Sequence, residues 1–134
     1  MQFSTTDSIS LSGKFYTAAD IVKEKDVYIR LEAIDNHFAL KELANDQSSM
    51  IRIAVARKKV AHERLIKDKN WRVRATVAQH CDDKTLIERL IKDTNDFVRF
   101  IIAKRGLCAD QLIDDPDQEI AAIARIELQK FQAA

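Results

Sequence analysis

The chain has 134 residues, of which 46% are hydrophobic and 32% are charged, and its formal net charge is +1. This composition predicts one packed domain, and with two glycines and one proline the chain has so few helix breakers that an all-α fold is expected. Residues 1–12 have neither a basic segment nor an apolar run, and no stretch approaches the roughly 18 apolar residues of a membrane span. We therefore expect a cytoplasmic protein with no membrane association.

The first segment, residues 1–19, lies outside the periodic part of the chain. It is rich in serine and threonine, and its large apolar residues are Phe3, Ile9, Leu11, Phe15 and Tyr16. We expect a partly ordered cap that covers the exposed face of the element that follows it. The rest of the chain, 20–134, is predicted to be a single repeat domain.

From residue 20 onward, a short sequence pattern recurs five times. Each copy has an apolar anchor residue, an apolar pair seven and eight positions before it, and an acid five positions before it. The anchors are Ile29, Ile51, Val73, Val98 and Ile120. Their spacings of 22, 22, 25 and 22 residues predict an α-solenoid of about five tandem 22–25-residue repeats, because a unit this small buries its apolar face only against copies of itself.

Each repeat carries a helix-start signal three positions before its anchor. The residues there are all of types that favour a helix N-cap, namely Asp26, Ser48, Asn70, Asn95 and Asp117. The residues that follow are apolar on more than one face, which predicts a helix packed on several sides. A shorter second helix is expected after each long one, for example over 61–67 or 84–92. A longer terminal helix over 119–131 is expected to cap the series.

The segments 68–78 and 93–103 resemble the leucine-rich repeat variant family, which is related to HEAT-like repeats. The resemblance covers roughly 20–128 and is weaker in the two terminal repeats, as is typical of capping repeats. It implies a right-handed superhelix in which α-helices alternate with short, often 3₁₀, helices, and it implies no enzymatic activity. An iron–sulfur module is associated with this family, but its cysteine cluster is missing here.

An acid and an arginine recur together in the repeats. The acid lies five positions before each anchor, and in the first four repeats an arginine follows the anchor directly. The pairs are Glu24 with Arg30, Asp46 with Arg52, Asp68 with Arg74 and Asp93 with Arg99, and Asp115 stands alone in the fifth repeat. One interpretation is a structural ladder of ion pairs, and the other is a row of arginines for an anionic ligand. We favour the ladder, because the two residue types recur together.

Charge is distributed unevenly along the chain. Residues 50–105 hold 15 basic and 7 acidic side chains, whereas the segments on either side are net acidic. The candidate binding surface on this basic block comprises Arg57, Lys58, Lys59, Arg64, Lys67, Lys69, Trp71, Arg72, Arg89, Lys92, Lys104 and Arg105. Such a surface suits an acidic protein partner or a phosphate backbone, and Trp71, Phe97 and Tyr28 could stack on bases. Against nucleic acid we favour a third interpretation, an ordinary solvated helix surface.

No catalytic, metal-binding or cofactor-binding pattern stands out. The adjacent His80 and Cys81 have a poor spacing for a structural zinc site, and nothing in the sequence holds a base beside the thiol. We therefore expect no enzyme, no metal and no cofactor. The leading prediction is a non-catalytic protein-interaction or scaffold module built from helical repeats. The alternative is a nucleic-acid-binding α-solenoid that uses the basic residues of 50–105.

Overall fold

The structure, a computed structural model, describes residues 7–133. Of these residues 61% are helical, in ten helices, and two short strands form one hairpin. The helical class predicted from the sequence is therefore confirmed, and the hairpin is an element that the sequence analysis did not predict. The described residues form two compact units, of which the first ends at Ala61 and the second begins at His62. The first part of the predicted cap, residues 1–6 with Phe3, lies outside the described residues.

The first unit opens with an antiparallel hairpin of β1, Ser8–Leu11, and β2, Lys14–Thr17. Ser12 and Gly13 join the strands, and both have positive φ, 52° and 78°. A two-residue turn of this kind matches the twist of a hairpin. Leu11 and Tyr16 are buried, so the hairpin packs on the first unit.

Four helices complete the first unit. Thr17 begins the first of them with a capping box, in which its hydroxyl accepts from the backbone of Asp20 and the Asp20 carboxylate accepts from Thr17. Phe38 lies at the centre of the core with 1% of its surface exposed. The helices are α1, Ala18–Lys23; α2, Val27–Asp35; α3, Leu40–Leu43; and α4, Ser49–Arg57.

The second unit consists of alternating short and long helices. The long helices α6, Trp71–His80, α8, Asp96–Lys104, and α10, Gln118–Ala133, pack side by side. Ala78 of α6 and Ala103 of α8 are buried, and their small side chains allow the helices to approach closely. The helices are α5, His62–Leu65; α6, Trp71–His80; α7, Lys84–Leu90; α8, Asp96–Lys104; α9, Ala109–Leu112; and α10, Gln118–Ala133.

The links from a long helix to the next short helix follow one backbone pattern in three repeats. The residues eight and ten positions after the anchor both take positive φ. They are His37 and Ala39, Lys59 and Ala61, and Gly106 and Cys108. A non-glycine residue in this conformation costs about 1–2 kcal/mol, so surrounding packing must hold the link in place.

The third repeat departs from this pattern, and it is the repeat that precedes the 25-residue spacing. Its link is extended at Cys81 and Asp83, which have φ of −76° and −80°. The Asp83 carboxylate caps α7, which has seven residues where α3, α5 and α9 have four. The three additional residues therefore lengthen the short helix and replace the left-handed link.

Gly106 provides a test of the left-handed links. Its φ is 74°, and a Cβ placed there would lie 3.2 Å from Oε2 of Glu127. We expect Gly106→Ala to lower the free energy of unfolding by about 1–2 kcal/mol in urea denaturation. Gly13→Ala is the matched comparison: Gly13 has a similar φ of 78° but no atom within 4 Å of the added Cβ, so its loss gives the cost of the backbone conformation alone and is expected to be no larger than that of Gly106→Ala. An unchanged stability for Gly106→Ala would contradict the backbone geometry of this link.

Candidate interaction surface

A shared turn precedes every long helix from α2 to α10. In each repeat the acid five positions before the anchor accepts the backbone N–H of the residue two positions later. The pairs are Glu24 with Asp26, Asp46 with Ser48, Asp68 with Asn70, Asp93 with Asn95, and Asp115 with Asp117, at 2.9–3.2 Å. The second residue of each pair is the helix N-cap. Its side chain caps the helix in four repeats, and Ser48 makes no such bond.

In the first four repeats the arginine that follows the anchor binds the turn of its own repeat. One terminal nitrogen, Nη1, donates to the backbone carbonyl of the acid six positions earlier. The bonds join Arg30 to Glu24, Arg52 to Asp46, Arg74 to Asp68, and Arg99 to Asp93. Arg52 also donates to the carbonyl of Gln47 and is only 8% exposed.

Three of these arginines, Arg30, Arg74 and Arg99, also bind the acid of the following repeat. In the first unit Nε of Arg30 lies 3.1 Å from Oδ2 of Asp46. In the second unit Arg74 and Arg99 each make a forked contact, with Nε and Nη2 on the two carboxylate oxygens of Asp93 and Asp115. All six side chains are at most 16% exposed. These guanidinium groups are occupied within the protein and do not form a row open to an external anion.

The contact between Arg99 and Asp115 favours the charged form of the arginine. The hydrogen bonds from Arg99 to Asp115 raise the pKa of Arg99 above its usual value, although burial opposes the shift. The negative charges of Asp96 and Asp117 add to the same effect.

The structure divides the predicted basic surface between the two units. Arg57, Lys58 and Lys59 lie in the first unit, and the remaining members lie in the second. Nine members are exposed: Arg57, Lys59, Arg64, Lys67, Lys69, Arg72, Arg89, Lys92 and Lys104. Lys58, Trp71 and Arg105 are partly buried.

Arg105 has a structural role that its sequence position did not reveal. Its Nη1 donates to the carbonyls of Ala78 and Cys81 at 2.7 and 2.8 Å, and its Nη2 lies 3.4 Å from Asp82. These bonds satisfy carbonyl groups at the C-terminal end of α6, where a positive charge is favourable. Arg105 therefore joins α6 to the end of α8 and has little capacity left for a ligand.

Aromatic side chains meet at the first turns of α6 and α8. The rings of Trp71 and Phe97 contact edge to face with their centroids 5.7 Å apart, and Phe97 stacks on Phe100 at the same distance. The guanidinium carbon of Arg72 lies 4.7 Å from the centre of the Trp71 ring. Phe97 is 48% exposed, so this aromatic row, Trp71–Phe97–Phe100, borders on solvent.

A pocket of about 260 Å³ opens beside the aromatic row, between the first turns of α8 and α10. Its apolar lining comes from Phe97, Phe100 and Ile120, and its acidic lining from Asp96, Asp117 and Glu119. None of these six residues belongs to the predicted basic surface, and only Phe97 was indicated by the sequence, as a side chain that could stack on a base. The available signal was the Phe97–Phe100 spacing of three, which places both rings on one face of a helix.

The histidines and cysteines do not assemble into a site. Among residues 7–133 there is no group of three His, Cys, Asp or Glu side chains that could hold a metal ion. Cys81 is buried, and its thiol lies 3.8 Å from the carbonyl of Asp83. Burial raises the pKa of the Cys81 thiol above its ordinary value, which favours the thiol over the nucleophilic thiolate.

The raised pKa of Cys81 predicts a dependence on pH. The folded state holds the proton more tightly than the unfolded state, whose thiol ionises from about pH 8.5. The corresponding stability is full below that pH and is lost as the pH rises through the folded-state pKa. We expect Cys81→Ala to flatten the decline in the free energy of unfolding between about pH 8 and 10. Parallel slopes for the two proteins would contradict this account of the thiol.

No helix within residues 7–133 combines the length and apolar character needed to cross a bilayer. No family model, no curated protein and no solved structure matches the chain.

Proposed function

We propose that the protein is a non-catalytic protein-interaction module of the cytoplasm, built as a right-handed α-solenoid of repeats that resemble the leucine-rich repeat variant and HEAT-like families. The support is the geometry common to the repeats, in which the same turn, N-cap and arginine contact recur with the anchors. Stacked repeats of this kind give a fixed frame on which exposed positions vary independently of the core.

The observation that carries the proposal is the exposure of the residue directly before each anchor. This residue lies on the first turn of the long helix and is exposed in every repeat, whereas four of the five anchors are fully buried. In the first unit it is Tyr28, 75% exposed, and Met50, 49% exposed; in the second it is Arg72, Phe97 and Glu119. Large apolar and aromatic side chains left in solvent at a repeated position are typical of protein-binding surfaces.

Affinity capture tests this proposal. The intact chain, immobilised, is incubated with extract of its native cell and the bound proteins are quantified. We expect a specific partner that is lost from the triple variant Tyr28→Ser, Met50→Ser, Phe97→Ser. The matched control is Phe15→Ser, Ile126→Ser, Phe131→Ser, which removes exposed apolar side chains elsewhere. No retained partner, or equal loss from both variants, would overturn the proposal.

The alternative is a nucleic-acid-binding solenoid, and the nine exposed basic residues of the predicted surface support it. Four other arginines of the basic block, Arg52, Arg74, Arg99 and Arg105, are engaged within the protein, which reduces the charge available to phosphates. Binding to duplex and single-stranded probes over a salt series distinguishes the two functions. Affinity that falls steeply with salt would favour the alternative, because released counterions drive phosphate binding.

A further inference from the structure

The pocket between the first turns of α8 and α10 is lined by both aromatic and acidic side chains. We infer that it receives the guanidinium group of an arginine side chain presented by a partner protein, an inference that rests on the proposed interaction function. The pocket lies wholly within the second compact unit. The size of the pocket, its aromatic lining and its negative charge each restrict the kind of group that can bind there.

The size fits one side chain better than a small-molecule substrate. Pockets that enclose a drug-sized ligand have volumes of about 300–1,000 Å³, and this one has about 260 Å³ and is open to solvent. A single arginine inserted from a partner segment fills such a space while the rest of the segment lies on the surrounding helices.

The aromatic lining suits a planar cation. A guanidinium stacks on aromatic rings, and Phe97 and Phe100, which stack on each other, both line the pocket. The same aromatic row accommodates a guanidinium of its own chain, because Arg72 lies over the ring of Trp71 at 4.7 Å. The partner's arginine would place a second guanidinium on the same aromatic row, next to Phe97 and Phe100.

The acidic lining of the pocket has the charge and the hydrogen-bonding capacity to hold a guanidinium group. Asp96 and Glu119 form no ion pair with any described residue, and Asp117 uses only Oδ1, which accepts from the backbone of Glu119 and Ile120. None of the six lining residues is basic. Carboxylate oxygens that face a common space match the fork of donors on a guanidinium.

The opposite occupant, an anion, is disfavoured although two helices begin here. The Asn95 side chain already accepts from the backbone N–H groups of Phe97 and Val98 in α8. In α10 the Asp117 side chain takes the equivalent groups of Glu119 and Ile120. A phosphate or carboxylate would therefore meet occupied donors and three acids.

Binding of a defined probe to the intact chain tests the inference. The probe is the blocked tripeptide acetyl-Gly-Arg-Gly-amide, and its neutral isostere with citrulline is the reference. Backbone amide shifts of the isotope-labelled protein are followed by NMR. We expect saturable shifts centred on Asp96–Phe100 and Gln118–Ile120, with the citrulline peptide binding about five-fold more weakly or worse. The lysine peptide is expected to bind more weakly than the arginine peptide, because it lacks the planar fork.

Variants separate the pocket from general charge attraction. Asp96→Asn with Glu119→Gln is expected to weaken the arginine peptide about five-fold, whereas Asp110→Asn with Asp114→Asn, which removes two exposed acids elsewhere in the second unit, leaves it unchanged. An unaltered amide spectrum away from the sites shows that each variant is folded. Equal weakening by both pairs, shifts elsewhere on the protein, equal binding of the three peptides, or shifts at the pocket with acetyl-phosphoserine instead would each overturn the inference.

The two proposals fail separately. If affinity capture retains a partner that the Asp96→Asn, Glu119→Gln variant still binds in full, the arginine pocket is wrong and the interaction function stands. If the arginine peptide binds the pocket and the capture retains nothing, the pocket recognises the cation and the interaction function as proposed is wrong.

Discussion

Asp115→Ala is expected to lower the free energy of unfolding by about 3 kcal/mol, because it leaves a largely buried arginine without its partner. The Asp115 side chain is 3% exposed and that of Arg99 is 12% exposed, and two hydrogen bonds of 2.8 and 3.2 Å join them. The substitution also removes the acceptor for the backbone N–H of Asp117, which positions the start of α10. Thermal unfolding should shift downward by about 10 °C.

The neighbouring Asp114 provides the control for Asp115. It is exposed, so Asp114→Ala removes the same charge without disturbing a buried contact, and the expected change is within about 0.5 kcal/mol. Urea denaturation of the two variants gives the comparison. Equal stabilities would mean that the forked contact between Arg99 and Asp115 contributes nothing to the free energy of unfolding, which would contradict the structure.

Phe38→Ala is expected to have the second large effect, a loss of about 3–5 kcal/mol. Phe38 is among the largest fully buried side chains, and its removal leaves a cavity at the centre of the first unit. Phe15 offers a matched control of the same residue type in the same unit, since 73% of its surface is exposed. Phe15→Ala should cost less than about 1 kcal/mol in the same denaturation experiment. A reversed order of the two losses would contradict the assignment of this core.

The starts of the long helices could be predicted from sequence because the signal is local. The cap residues Asp26, Asn70, Asn95 and Asp117 act through side chains that bond their own first turn, and the structure confirms each of them. Ser48 also lies at the N-cap but bonds no backbone group there. Its partner Asp46 fixes the turn instead, by accepting the N–H of Ser48 and binding Arg30.

The hairpin and the long third link depend on signals that repeat periodicity does not contain. Residues 8–11 alternate polar and apolar side chains and are followed by Ser12 and Gly13, which is a short hairpin signal. The segment is also rich in serine and threonine, a composition that favours a loop, so the hairpin was not predicted. The 25-residue spacing indicated an insertion but not its place. Asp83 as the cap of a seven-residue α7 explains it, and this required knowing that the preceding link is extended.

The pocket could not be predicted because its residues come from two repeats. Asp96, Phe97 and Phe100 are close in sequence, but Asp117, Glu119 and Ile120 meet them only once α8 and α10 are packed together. The charge count had also marked 50–105 as a basic block, and local acids at the helix starts are hidden in such a sum. In the structure Asp96 lines the pocket, whereas Arg99 and Arg105 of the same block bind carboxylate and carbonyl oxygens of the protein itself.

A double-mutant cycle on Arg74 and Asp93 tests the central claim, that neighbouring repeats are held together by an arginine of one and an acid of the next. The variants are Arg74→Met, Asp93→Asn and their combination, and Asp93→Asn keeps an oxygen for the N–H of Asn95. The account predicts a coupling energy of about 1.5–3 kcal/mol in the free energy of unfolding. Losses that add within about 0.5 kcal/mol would contradict it.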